Sequence, residues 1–239
     1  MNTIILTGAI IPSFPVKRKA PYIRLVDYLC AIRHWLNVDI LDHVIYCDAS
    51  GCHIPEYVFM SDKFESLSMD SSEHAKKFEA GRAEAECLHY VLDHCREKPG
   101  SFFKCTGRYY VKNISEIVRF IRFYDNVPIY LRKWYRPRWA DTRFFWMKTD
   151  TFQENIVPRI QELTGVNYQG HVIESLFYEY VSQNSSFPEP YIIGRSAHLD
   201  MIYIEDFTDE DKRDAKSIID DLGMQTFCPG IDKHSKFCE

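Results

Sequence analysis

Long apolar runs are missing from this sequence, and the most extended, Thr3–Pro12, is far too short to cross a bilayer. No basic residue stands ahead of that run in Met1-Asn2-Thr3, so no secretory leader is read there and a cytosolic protein is expected. An excess of positive charge is missing as well. Lys plus Arg number 29 against 34 Asp plus Glu, a net charge of −5, which weighs against a dedicated DNA-binding protein. No Cys-x-x-Cys occurs, which removes zinc ribbons and dithiol redox motifs. Internal repeats and long linkers are absent too, so the 239 residues are expected to form one domain. What is present is an ordinary globular composition, 46% hydrophobic and 26% charged, and this excludes disorder.

Of the eight cysteines, Cys30, Cys47, Cys87 and Cys105 lie inside apolar segments, where a thiol behaves as a small hydrophobe. Disulfides are therefore not expected. Cys47 and Cys52 with His53 make a fragment of a metal site, but no second ligand pair stands at suitable spacing. Aromatic residues reach 15%, enough for a packed core and for planes on which bases or sugars stack.

Thr3–Pro12 reads as a buried strand closed by proline. Ile23–Leu36 is predicted helical, with Ile23, Val26, Leu29, Cys30 and Ile32 as its apolar stripe. Asp42–Asp48 and Tyr57–Leu67 read as the next two strands, with Met69 to Ser72 as a loop. Ala80–Cys95 is predicted as a helix ended by Pro99-Gly100. Ser101–Val111 reads as a strand broken at Thr106-Gly107, followed by a helix over Ile114–Phe123. Strands alternating with helices imply an α/β fold with a mainly parallel sheet flanked by helices. Ligands in such sheets bind beyond the carboxyl ends of the strands, here Ala9–Pro12, Asp48–Gly51, Ser68–Ser72 and Thr106–Arg108. Further on, Val127–Arg132 and Arg143–Lys148 look like strands, and Phe152–Glu162 and Val172–Val181 like helices. Asp206–Asp221 is predicted as a late surface helix capped by Thr208. Its Asp209-Glu-Asp211 is formally Asp-x-Asp, but acids in a first turn suit the helix dipole.

Phe102-Phe-Lys-Cys-Thr-Gly-Arg-Tyr-Tyr-Val-Lys-Asn113 is the most informative segment. Glycine after a strand lets backbone amides approach an anion, Lys104 and Arg108 bring charge, and Thr106 brings a hydroxyl. A bulge with solvated basic residues would look the same in isolation. Together with Leu6-Thr-Gly, Arg24-x-x-Asp27-Tyr28, Val44-Ile-Tyr-Cys-Asp-Ala-Ser-Gly51 and Gly81-Arg-Ala-Glu-Ala-Glu86, this segment resembles bacterial glycosyltransferases that build O-antigen and capsular polysaccharides. The resemblance is clearest from Ile4 to Asn113, and Lys-x-Thr-Gly-Arg-Tyr is its most specific phrase.

The resemblance implies a GT-A type nucleotide-binding sheet and transfer from a nucleotide-sugar, with UDP-sugars first among the donors. It implies a nucleotide-sugar-binding half in residues 1–113 and an acceptor-side half in 114–239. It places Thr7 and Gly8 against the nucleotide. Arg24 and Asp27 are assigned to base or ribose, or else form a buried helix pair. Asp48 closes the second strand in donor-site reach. Arg82 and Glu86 either face the sugar and diphosphate or make a surface ion pair. Lys104, Thr106, Gly107 and Arg108 fall where the commonest GT-A pattern carries Asp-x-Asp and a divalent ion. Fixed basic groups can supply the same positive charge, so no metal ligand is assigned and metal use is left open.

The candidate base is Glu174, in Gly170-His-Val-Ile-Glu-Ser-Leu-Phe-Tyr178, with Glu179 and Asp141 in reserve. A first-turn carboxylate there would also suit the helix dipole. Leu131 to Arg143 holds five basic and three aromatic residues in thirteen positions. This mixture suits an anionic membrane surface, and within it Arg138, Asp141 and Arg143 are assigned to the acceptor or membrane side. The acceptor implied is an oligosaccharide or lipid-linked glycan, and the expected location is cytoplasmic, including peripheral attachment to the inner membrane face. Two other readings stand beside this one. A nucleotidyltransferase would use the same sheet but release pyrophosphate. A nucleic-acid module built on Arg132–Arg143 is opposed by the acidic net charge, so no nucleic-acid partner is expected.

Overall fold

The computed structural model describes residues 1–13, 20–123, 129–134, 139–162, 172–183, 192–193, 201–202, 207–229 and 231. It opens with β1 (Thr3–Gly8), α1 (Pro21–Leu36) and β2 (His43–Asp48). A 3₁₀ turn at Glu56–Val58 leads to β3 (Phe64–Ser68), α2 (Ser72–His94), β4 (Ser101–Thr106), β5 (Tyr110–Val111) and α3 (Ile114–Phe123). The hairpin β6 (Ile129–Trp134) and β7 (Trp139–Lys148) follows. Next, α4 (Thr149–Thr151) runs through a π-helical segment, Phe152–Ile156, into α5 (Val157–Glu162). The register widens just ahead of Pro158, whose nitrogen cannot donate the usual i−4 bond. The remaining elements are α6 (Val172–Gln183), β8 (Ile192–Ile193), β9 (Met201–Ile202), α7 (Asp209–Leu222) and α8 (Met224–Phe227).

Seven strands form one sheet in the order β3-β2-β1-β4-β7-β6-β8. The strands from β3 to β4 are parallel, β7 is antiparallel to both β4 and β6, and β8 is parallel to β6. The fold is thus a mostly parallel α/β sheet covered by helices on both faces, as the alternation of strands and helices implies. β5 and β9 make a separate two-stranded ribbon.

Strand periodicity divides the core in two. Ile4, Leu6, Val44, Tyr46, Phe103, Cys105 and Phe144 pack on one face with α1, α3 and α7. Ile5, Ile45, Cys47, Phe102, Phe145 and Met147 pack on the other with α2, α5 and α6. Double coverage explains why β1 and β2 carry continuous apolar runs rather than alternation.

Several expected boundaries move. The strand expected from Tyr57 is a 3₁₀ turn followed by β3 only at Phe64, because Met60 takes φ 47° and interrupts extended backbone. α2 begins at Ser72 rather than Ala80, since the Asp70 carboxylate accepts the Ser72 amide at 2.9 Å and starts the helix early. Ile23 does not join the buried stripe of α1, being 39% exposed, whereas Leu25, Leu29, Ile32 and Trp35 are buried. Thr208 caps α7 as expected, with Asp211 returning the bond in a capping box.

The expectation of unpaired cysteines is overturned at one pair. Cys52, in the loop after β2, and Cys228, at the end of α8, form a disulfide across a sequence separation of 176. The His53 amide bonds the Phe227 carbonyl beside it at 2.7 Å. Nothing local in the sequence announces such a pairing, because only the completed sheet and α7 bring the two ends together. Disulfides are rare in a reducing cytosol, so this pair pulls against the cytosolic placement read from the sequence. Among the described residues no helix is long and apolar enough to cross a membrane.

A link closing so long a loop restrains the unfolded chain strongly. Cys228→Ser is expected to lower the unfolding free energy by about 2–5 kcal/mol in urea titrations, with far-ultraviolet dichroism unchanged. Wild-type protein in reductant should match the variant.

Candidate active site

Strand order reverses at β1. The chain moves from β1 to β2 and β3 on one side, then returns to place β4 on the other. Such a switch point leaves a crevice beyond the carboxyl ends of the two central strands. A cavity of about 290 Å³ lies there, reaching from Thr7, Gly8 and Ala9 past Thr106 and Arg108 to Glu174.

Its floor is built around a lysine with no exposure. Lys104 projects from β4 toward α2, and its ammonium lies 2.6 Å from Glu84 Oε1. It also donates to Thr106 Oγ1 at 3.2 Å and to the Thr142 carbonyl at 2.5 Å. Glu84 Oε1 accepts from Thr7 Oγ1 at 2.7 Å and from Thr106 Oγ1 at 3.4 Å. An unpaired ammonium at this depth would cost several kcal/mol, about the penalty for one desolvated ion, so Lys104 and Glu84 are fixed together. Lys104 is accordingly corrected from a phosphate ligand to a support beneath the cavity, because its donors are used by protein oxygens.

α1 forms one wall. Arg24 is buried, with Nε donating to the Ala9 carbonyl at 2.6 Å and Nη2 to the Tyr28 hydroxyl at 2.8 Å. That hydroxyl accepts the Ala9 amide at 2.9 Å, so the two side chains set the path of the chain leaving β1. Burial pushes the Tyr28 phenol up, while the guanidinium groups of Arg24 and Arg108 pull it down. Gly8, in the lining, and Gly107, which stands outside it, are both demanded by close approach. A Cβ on Gly8 would stand 2.7 Å from the Tyr46 hydroxyl, and one on Gly107 would stand 3.0 Å from the Thr7 carbonyl. The Gly107 amide bonds that same carbonyl at 2.8 Å, which seals β4 against β1.

Arg108 and Glu174 are further ionisable groups in the lining. Arg108 Nε is buried and has no hydrogen-bond partner among the described residues. A buried donor in a cavity wall without a partner is a costly arrangement that an anion would relieve. Glu174, near the start of α6, accepts from Thr142 Oγ1 at 3.3 Å. Thr142 therefore joins Lys104 through its carbonyl and Glu174 through its hydroxyl. Cys87 also lines the cavity, but its hydrogen bond with Cys47 and its burial hold the thiol well above its ordinary range. It offers no thiolate nucleophile.

Of the residues expected from the sequence, Thr7, Gly8, Arg24, Thr106, Arg108 and Glu174 line this one cavity. Others do not. Asp27 is buried in α1 and stands outside the lining. Arg82 and Glu86 pair with each other at 3.1 Å, which is the ion-pair alternative raised for them. Asp48 is corrected from a donor contact to a structural acceptor. Its Oδ2 takes the Ile10 amide and the Tyr46 hydroxyl, and its Oδ1 takes the Ser50 amide and hydroxyl and the Cys52 amide. Asp141 is held by Arg143, with Nε at 2.8 Å from Oδ1 and Nη2 at 2.6 Å from Oδ2, so neither residue lines the cavity. Arg138 lies outside the described residues, with 135–137, while the rest of the expected basic aromatic loop belongs to β6 and β7. Among the described residues, no group of three or more His, Cys, Asp and Glu is placed to hold a metal ion.

Glu84 was missed by sequence reasoning, which chose its neighbours Arg82 and Glu86. The signal was the helical face: Glu84 sits one residue past buried Ala83 and three before buried Cys87, so it points toward the sheet.

The tight seam predicts a contrast between glycines. Gly107→Ala should cost about 1–3 kcal/mol by chemical denaturation, as overpacking does. Gly100→Ala, where a Cβ meets nothing within 4 Å, should stay within about 0.5 kcal/mol of wild type.

No protein-family model matches the chain, and no curated protein does. Solved structures of similar shape include a 4-diphosphocytidyl-2C-methyl-D-erythritol synthase from Anaerococcus prevotii, at TM-score 0.47 and 9% identity over 92% of this chain and 96% of that one. A glycosyltransferase involved in glycosylating the major capsid of PBCV-1 gives TM-score 0.42 and 12% identity over 90% and 98%. A 2-C-methyl-D-erythritol 4-phosphate cytidylyltransferase from Francisella tularensis gives 0.42 and 10% over 91% and 98%. At these values the likeness is one of overall shape and assigns no chemistry.

Proposed function

We propose that this chain is a glycosyltransferase that moves a sugar from a nucleotide-sugar onto a hydroxyl of a glycan or lipid-linked acceptor. The observation that carries the reading is the buried, unpartnered Arg108 Nε in the wall of a switch-point cavity that also presents the Glu174 carboxylate. Breaking the bond between the anomeric carbon and the diphosphate leaves negative charge on the departing oxygens. A guanidinium in the cavity wall, with its Nε already buried, stabilises that charge. Glu174, held by Thr142, takes the proton of the attacking hydroxyl. Ile11, also in the lining and 39% exposed, offers apolar surface to a base. UDP-sugars are the first donors to try. An acceptor of the O-antigen or capsular kind follows from the resemblance carried by Lys104 to Tyr109.

Calorimetric titration with UDP-, GDP-, CMP- and dTDP-sugars identifies the donor. Arg108→Ala should then bind it about 10- to 150-fold more weakly, the worth of one charge-assisted hydrogen bond, while remaining folded. Unchanged affinity in a folded variant would remove Arg108 from the phosphate site. Release of pyrophosphate in place of a nucleoside diphosphate would assign the cavity to nucleotidyl transfer.

Glu174→Gln keeps size and helix compatibility but cannot take a proton. Turnover should fall by about 10²–10⁴-fold with donor affinity and melting temperature retained. Near-normal turnover, in a reaction shown by NMR to invert the anomeric centre, would exclude Glu174 as the base.

A further inference from the structure

We infer that Glu84 is the hydroxyl-reading group of the cavity, accepting a vicinal diol of the bound ligand and keeping phosphate away from the floor. This rests on the nucleotide-sugar reading above. Glu84 lines the cavity with its side chain 21% exposed. All of its protein bonds converge on one oxygen: Oε1 takes Lys104, Thr7 and Thr106. Oε2 has no hydrogen-bond partner among the described residues, so an anchored carboxylate presents one unused acceptor to the cavity.

The charge around it selects the ligand group. Lys104, with no exposure, cancels the carboxylate charge at 2.6 Å. The pair is net neutral and has no strong call on a cation. A phosphate brought to Oε2 would set acceptor against acceptor, whereas hydroxyls bring the donors that Oε2 lacks. The positive end of the cavity is at Arg108, whose Nε needs an acceptor. Phosphate at Arg108 and hydroxyls at Glu84 is therefore the arrangement in which both unmet groups are satisfied. The diol belongs either to the ribose or to the transferred sugar, and the two sources separate by experiment.

The test is calorimetric, with UDP, 2′-deoxy-UDP and UDP-glucose as probes on wild type and Glu84→Gln. The substituted amide retains an acceptor for Lys104 but sets an N–H donor where Oε2 stood. Should the diol be ribose, the wild-type preference for UDP over 2′-deoxy-UDP falls by about tenfold or more in the variant, the scale of a hydrogen bond to a charged group. Should it be the sugar, the gain of UDP-glucose over UDP falls by that factor while UDP affinity holds. A uniform loss across all three probes, or no change in either ratio, overturns the inference and leaves the nucleotide reading standing. Should the donor titration select another base, that nucleoside diphosphate, its 2′-deoxy form and its sugar replace the three probes, and failure of wild type to bind any donor overturns both. If Glu84→Gln does not fold, the double variant Glu84→Gln, Lys104→Met removes the buried charges together and is read on the same ratios.

Discussion

A lysine ammonium buried in the middle of a sheet is the constraint on which the site depends. Lys104 occupies a position where its neighbours in register are Ile5 and Phe145. An apolar residue there would fold with less demand on its surroundings. Because the position is lysine, α2 must deliver Glu84 and β7 must turn the Thr142 carbonyl inward, and β1 adds the Thr7 hydroxyl as a donor to Glu84. Three strands and a helix are thereby fixed relative to one another around a single charge. Replacing one partner alone would strand a buried ion, which is far more costly than removing both.

That arrangement separates the cavity into zones by chemistry. The floor is a compensated pair whose donors are nearly all used within the protein. The rim carries Arg108, whose buried donor is not. Ligand charge is thus drawn to one end and neutral polar groups to the other, before any moving part is considered. Thr142 lies between them. Its carbonyl meets Lys104 and its hydroxyl meets Glu174, so the carboxylate proposed as the base is bonded to the same network that holds the floor.

Much of this was legible in the sequence where local physics governs. The continuous apolar runs of β1 and β2, the bounds of α3 and the Thr208 cap follow from periodicity and capping chemistry alone. The carboxyl ends of the central strands were legible from strand–helix alternation, and Thr7, Gly8, Thr106 and Arg108 line one cavity there. Roles within the site were less legible, because a charged side chain in a motif does not say where its atoms end. Lys104 and Arg108 stand four residues apart with similar chemistry. Strand pleat sends Lys104 beneath the cavity, while the turn after β4 sends Arg108 into its wall. Glu84 and Glu86 differ only by helical phase, and phase is decided by which face meets the sheet. Asp141 could be a ligand or a partner to Arg143 until the β7 geometry pairs them.

Asp48 shows how a residue can matter to the site without touching a ligand. Its two oxygens collect amides from both sides of the switch-point loop, Ile10 on the β1 side and Ser50 with Cys52 on the β2 side. Burial pushes its pKa up, and the hydrogen bonds from Ser50, Ile10 and Tyr46 oppose that push. The carboxylate is thus tolerated at depth because backbone donors surround it. Cys52 is also one end of the disulfide, so the bond to Cys228 and the amide on Asp48 belong to the same short loop. Through Asp48 that loop is tied to Ile10, next to the cavity-lining Ala9 and Ile11. The covalent link to α8 therefore does more than restrain the unfolded chain. It also holds the outer end of a hydrogen-bonded path whose inner end shapes the wall where the nucleotide is proposed to lie.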